Sequence, residues 1–150
     1  MYNPIQRRHF MLAAVLAGST LASACMHTAH YLPPAQRDFA SERLSDGGRY
    51  RVSWRADANP VPIGSLHTWT LHVARPDGAA VTDAAITVDG DMPEHGHGLP
   101  TRPRVTRNLG NGDYLVEGVK FQMGGWWVME FQVASGGVTE PVRFNLQLQR

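Results

Sequence analysis

Between Arg49 and Leu148 the chain alternates apolar and polar residues with period two, stretch after stretch. Successive side chains of a strand point to opposite faces, so this spacing marks strands with one face buried. In "RYRVSWRA", Tyr50, Val52 and Trp54 share one side, and Arg49, Arg51, Ser53 and Arg55 the other. In "SLHTWTLHV", His67, Trp69, Leu71 and Val73 line up. "AITV" follows the turn at Pro76-Asp77-Gly78, and "RVTRNL" is a short run. In "DYLVEGVKF", Tyr114 and Val116 are in phase; Val119 and Phe121 follow after a slip at Gly118, which predicts a bulge. Trp127, Met129, Phe131 and Val133 form the sixth face, and Val142, Phe144, Leu146 and Leu148 the seventh.

No long amphipathic helix separates these stretches. The expected class is all-β, an immunoglobulin-like antiparallel β-sandwich of about seven strands, large enough for one core. "GNGDY", just before a strand, is similar to a tyrosine corner, with Tyr114 as its tyrosine.

The chain begins differently. Arg7 and Arg8 precede an apolar run from Phe10 to Leu21, and then come Ala22-Ser23-Ala24. A charged start, an apolar middle and small residues at the end describe an export signal, expected over residues 1–24. The arginine pair fits either a twin-arginine or an ordinary secretory route. Cys25 is the sole cysteine, so no intramolecular disulfide exists; its place fits a lipid anchor, with a freely soluble product as the alternative. Residues 25–48 read as a tether, with Pro33-Pro34 favouring extended chain, Gly47-Gly48 ending it and room for a short helix between Pro34 and Leu44. The domain proper is expected over 49–150, in the periplasm or cell envelope.

Charge excludes one class of partner. Of fourteen Lys and Arg, Arg7 and Arg8 lie in the expected signal, while all thirteen acids remain. The rest is close to neutral and offers no basic face for nucleic acid. Catalysis is not expected either. No Ser–His–acid set, phosphate-cradling loop or carboxylate pair stands out, and Gly78, Gly90, Gly110 and Gly112 sit where turns need them.

If each strand reverses the last, the first, third and fifth connections meet at one end of the sandwich. The third is residues 91–103, "DMPEHGHGLPTRP"; the fifth is "QMGG"; the first delivers His67 to the next strand. Met92, His95, His97, Met123 and His67 then fall together. In extended chain, His95 and His97 point the same way, about 6.5 Å apart at Cα. Thioether with imidazole is a soft to borderline donor set that favours copper, above all Cu(I). Calcium would want clustered carboxylates, and structural zinc cysteine or a closed set of four ligands. His67 is either an extra ligand or a hydrogen-bonded histidine at the rim. Trp126 is expected to point outward, shielding the site or covering the sheet edge. His72 is expected to be exposed, and Met129 to pack in the core. Met26, His27 and His30 offer a weaker metal-catching arm.

"SLHTWTLHVARPDGAAVTDAAITVDGDMPEHGHGLPTRPRVT" and "GDYLVEGVKFQMGGWWVMEFQV" together resemble the YtkA-like/FixH-like group of bacterial extracytoplasmic domains. The shared order is a Met-Pro-x-His-Gly-His-Gly loop, Gly-Asp-Tyr, then Phe121 with Met123 and a following Gly-Trp. The resemblance implies a small β-sandwich and a link to copper handling or cytochrome oxidase maturation. Two departures are visible. No transmembrane helix is retained, which weakens a direct oxidase-assembly role, and Gly124 stands where such sequences often carry proline. The architecture is also similar to CopC-like copper carriers, with different donor spacing.

Two functional expectations follow. One is an exported, membrane-anchored copper carrier or buffer that passes its ion to a copper-accepting envelope protein. The other is a non-metal interaction module using the 92–99 loop and Trp126.

Overall fold

The structure, a computed structural model, describes residues 34–149. The expected signal, Cys25 and the Met26/His27/His30 arm lie outside the described residues.

After a one-turn 3-10 helix at Pro34–Gln36 come nine strands: β1 Glu42–Leu44, β2 Arg51–Ala56, β3 His67–Ala74, β4 Ala85–Met92, β5 His97–Gly98, β6 Arg104–Gly110, β7 Asp113–Val119, β8 Gly125–Ser135 and β9 Val138–Leu148. The fold is all-β and antiparallel, in the order β1-β2-β3-β7-β6-β4-β8-β9, with β5 on β4. β6 and β4 join through the single pair Thr87↔Arg104. The path bends there into two facing layers, giving a nearly closed sandwich.

The alternation read from sequence sets which side chains face inward. Trp69, Leu71 and Val73 of β3, the four apolar positions of β8 and the four of β9 are all buried. Burying each such side chain stabilises the fold by roughly 1.5–3 kcal/mol relative to exposure. Rings interlock in the core: Trp69 meets Phe131 of the facing layer at 6.3 Å between centroids, and Trp54 on the neighbouring strand stacks on Trp69 at 4.3 Å. The slip at Gly118 is a bulge. β3–β7 pairing steps from His67↔Val119 to Trp69↔Val116, so β7 spends an extra residue. Gly118 takes φ +84°, a left-handed conformation that favours glycine.

Tyr114 is buried, but its hydroxyl reaches far upstream. It donates to the Val81 carbonyl at 2.7 Å and accepts from the Ala84 N–H at 2.9 Å. It pins the β3–β4 connection, where a tyrosine corner would bond only a few residues away.

Residues 34–48, expected as tether, are built into the domain as far as they are described. β1 pairs with β2, the Ser45 hydroxyl donates to Glu140 on β9, and the Asp46 N–H donates to the Pro141 carbonyl. In place of a short helix between Pro34 and Leu44, one 3-10 turn leads into an extended strand. Among the described residues no helix is long and apolar enough to cross a membrane.

Since neighbours along the sheet path are antiparallel, β2, β4, β7 and β9 run one way and β3, β6 and β8 the other. The β2–β3, β4–β6 and β7–β8 connections therefore share one end. They touch there: the Gly64 N–H donates to the Phe121 carbonyl, and the Thr101 hydroxyl to the Gly118 carbonyl.

Candidate metal site at one end of the sandwich

Met92 is the last residue of β4, not part of a loop. The inward phase of Ile86 and Val88 continues through Gly90 to Met92, and Asp89 and Asp91 face out. Met92 is fully buried. Its methyl lies against Gly125 at the start of β8, where a Cβ would overlap it. The β4–β6 connection thus begins as a hairpin, with Met92↔His97 and Asp91↔Gly98 as cross-strand pairs. The His95 and Gly96 N–H groups both donate to the Met92 carbonyl, closing the turn.

The histidine pair is close for a different reason than spacing in extended chain. Gly96 has φ +66°, so the chain turns between the two, yet the rings sit 5.8 Å apart at their centroids. His95 is exposed and His97 half-buried. The His97 ring meets the edge of Trp127 at 5.8 Å. Its Nδ1 lies 3.0 Å from Gln122 Nε2 and 3.4 Å from the Gly98 carbonyl. With the Gln122 amide donating to it, Nδ1 is an acceptor and the neutral ring carries its proton on Nε2, which must give it up before binding a metal.

Met123 follows Gln122, is half-buried, and packs against the core cluster. Its carbonyl accepts the Trp127 indole N–H at 3.1 Å, which fixes the β7–β8 connection beside His97. Gln122 bridges the same two connections by donating to the Gly98 carbonyl at 3.2 Å. Met92, His95, His97 and the Met123 segment are thereby brought to one patch.

His67 shares that end but not that patch. It is 6% exposed and contacts Phe121 and Trp69, with Phe121 in turn against Trp127. Two aromatic rings separate it from His97. Its Nδ1 is 3.3 Å from the Ser65 carbonyl, and its Nε2 is buried without a hydrogen-bond partner. Nearby, the Thr68 hydroxyl bonds the Asp57 carboxylate and holds its pKa below the usual range; burial opposes this, and the Thr68 N–H and His67 add to the lowering.

Trp126 lies on the face opposite Trp127 but is buried, not outward and open. The Arg37 guanidinium sits 3.5 Å from its ring centroid. Its indole N–H donates to Asn145, which donates on to the Asp38 carbonyl. Arg37 also pairs with Glu94 Oε1 at 2.7 Å, tying the N-terminal segment to the donor hairpin. Backbone donation from Ala40, with help from Arg43 and against desolvation, keeps the Asp38 carboxyl low. His72 is half-exposed and bonds Asp113 at 2.7 Å, while Met129 is core, its sulfur packed toward Gly90.

Sequence reasoning missed Gln122, Trp127 as the ring beside His97, and the Arg37–Glu94 pair. Gln122 adjoins a candidate ligand and was open to suspicion. Arg37, 57 positions from Glu94, gave no signal.

Among the described residues no three His, Cys, Asp or Glu side chains converge. Imidazole with thioether is a donor set that suits a soft ion. Surface depressions of about 390 and 550 Å³ lie elsewhere, the first beside Trp54 and the end of β9, the second beside Tyr50 and the β8–β9 turn.

The architecture recurs in a solved structure. A crystal structure of a DUF4426 family protein from Pseudomonas aeruginosa PAO1 superposes with TM-score 0.51 at 15% identity, covering 74% of this chain and 97% of that one. The ZirS C-terminal domain aligns with TM-score 0.38 at 15% identity, over 97% of this chain and 100% of that one. No curated protein matches. The YtkA-like family matches residues 57–132, a span from the β2–β3 connection into β8 that contains Met92, His95, His97 and Met123, and the chain belongs to that family.

Proposed function

We propose that this protein is an exported copper-binding carrier or buffer of the cell envelope, with Met92, His95, His97 and Met123 as the ligands of Cu(I). The β4–β5 hairpin carries the reading. It sets a buried thioether directly across from one imidazole, with a second imidazole 5.8 Å from the first at the centroids. The fit lies in donor chemistry: two sulfurs and two ring nitrogens match a soft monovalent ion better than Ca(II) or Mg(II). An exposed His95 gives an accepting protein a place to begin ligand exchange, which suits transfer over permanent storage. His67, screened by Phe121 and Trp127, is left out of the ligand set. Export and a lipid anchor at Cys25 rest on the N-terminal sequence alone.

The test is a Cu(I) competition titration on the wild type and on His95→Ala/Met123→Leu. The expected result is tight binding that the double substitution weakens strongly. Equal affinities would remove the assignment.

A second reading, a docking module without metal, is favoured by Leu66, 66% exposed in the β2–β3 connection at the same end. Thermal unfolding separates the two. A ligand that selects the native state must raise Tm, so Ag(I) or Cu(I) should do so for a metal site and leave a docking module unmoved.

A further inference from the structure

Glu94 sits inside the donor loop, between Met92 and His95, and its carboxylate is chemically competent to bind a metal. With His95 and His97 it would make a two-histidine, one-carboxylate set, a combination that holds zinc well. Yet no such trio converges among the described residues. The reason is an ion pair. Glu94 Oε1 is bonded to Arg37 Nη2 at 2.7 Å, and that guanidinium is seated over the Trp126 ring. The Arg37 side chain is only 6% exposed, so its position is set by packing as well as by charge. Trp126 and Trp127 are consecutive residues of β8 and face opposite ways. His97 lies against Trp127, and the partner of Glu94 lies against Trp126. The carboxylate and the imidazole are drawn to different sides of the strand.

We propose that Arg37 is a specificity-determining residue of the Met/His site: by holding the Glu94 carboxylate on the Trp126 side, it keeps oxygen out of the ligand set and disfavours Zn(II) relative to Cu(I). This rests on the proposed site and deepens it. An acidic residue within a soft-metal loop would otherwise broaden selectivity toward divalent ions, since carboxylate and imidazole both accept zinc.

The experiment is a Zn(II) titration against a chromophoric chelator, with Cu(I) measured in parallel. Arg37→Met keeps an apolar stem over Trp126 and removes the charge. Zn(II) affinity should rise by about tenfold, the size of effect typical when groups around a ligand set change. Cu(I) affinity should be unchanged, since the carboxylate is not a soft ligand. Adding Glu94→Gln to Arg37→Met should return Zn(II) binding to the wild-type level. Glu94→Gln alone, at a half-exposed position that tolerates an amide, should leave Zn(II) binding unchanged. The proposal is overturned if folded Arg37→Met gains no Zn(II) affinity, or if the gain survives removal of the carboxylate. It is overturned equally if Glu94→Gln alone weakens Zn(II), since the carboxylate would then already be a ligand; this arm decides the matter even where Arg37→Met fails to fold. Absence of Cu(I) binding in the wild type would instead sink the Met/His site, a result separable from the Zn(II) gain, which needs only the imidazoles and Glu94.

Discussion

Met92 and His97 are direct partners across the β4–β5 hairpin, one fully buried and the other half-buried. The pairing makes Met92 both a core residue and a candidate ligand, and the two roles separate by substitution. Leucine conserves volume and removes sulfur; such swaps usually cost less than about 1.5 kcal/mol. Met92→Leu should therefore leave chemical denaturation nearly unchanged and weaken Cu(I) by about tenfold or more, the equivalent of some 1.4 kcal/mol. Met92→Ala should in addition cost about 2–5 kcal/mol of stability through the cavity it opens. A Met92→Leu protein with wild-type Cu(I) affinity would exclude this sulfur from the site.

Gly125 tests how the hairpin is braced. Its φ is +130°, and a Cβ there would overlap the Met92 methyl. Gly125→Ala should lose about 1–3 kcal/mol to the backbone conformation alone, with a further penalty for displacing the methyl. In a double-mutant cycle with Met92→Ala that further penalty should vanish, giving a favourable coupling between neighbours. Simple additivity would show that the methyl yields freely.

The fold was legible because alternation is a local signal. Every inward position of β8 and β9 could be read from period two, and the Gly118 bulge showed as a break in phase. Strand reversal then gathered the right connections at one end. What escaped was either masked or distant. Asp89, Gly90 and Asp91 look like a turn, which predicts a shorter β4 with Met92 in a loop. Extended chain from His95 to His97 also predicts a shared direction for the two rings, whereas the positive φ of Gly96 makes the turn that brings them together. Topology places His67 with the other donors, but it fixes only the end of the sandwich and not which rings stand between. Arg37 on Trp126 and Glu94 joins residues with no shared local pattern, and only tertiary packing reveals it.

Tyr114 bonds two backbone groups of the β3–β4 connection, and burial raises its pKa against the opposing Ala84 hydrogen bond. Tyr114→Phe keeps the ring and removes the hydroxyl, leaving the Val81 carbonyl and Ala84 N–H short of a partner. The expected loss is about 1–3 kcal/mol, the cost of a buried polar group left unsatisfied. Urea denaturation should show a lower midpoint with an unchanged m-value. No shift in midpoint would mean that other groups or water take over both bonds.

Glu140 links the N-terminal segment to β9, and it makes that link sensitive to acid. Its carboxylate accepts the Ser45 hydroxyl at 2.6 Å and the Arg49 N–H at 3.1 Å. The Ser45 bond is the main reason its pKa falls below the ordinary 4.5; desolvation opposes, and the Arg49 and Gly47 N–H groups and the Arg49 charge add to the lowering. A carboxyl with a lowered folded pKa binds fewer protons folded than unfolded. Its contribution is therefore complete above the unfolded value and disappears as pH drops through the folded one. Tm should accordingly decline as pH falls below about 4.5, and Glu140→Gln, which cannot ionise, should be less stable at neutral pH and flatter across the acid range. Parallel Tm curves for the two proteins from neutral pH down into acid would show that Glu140 does not couple this latch to protonation.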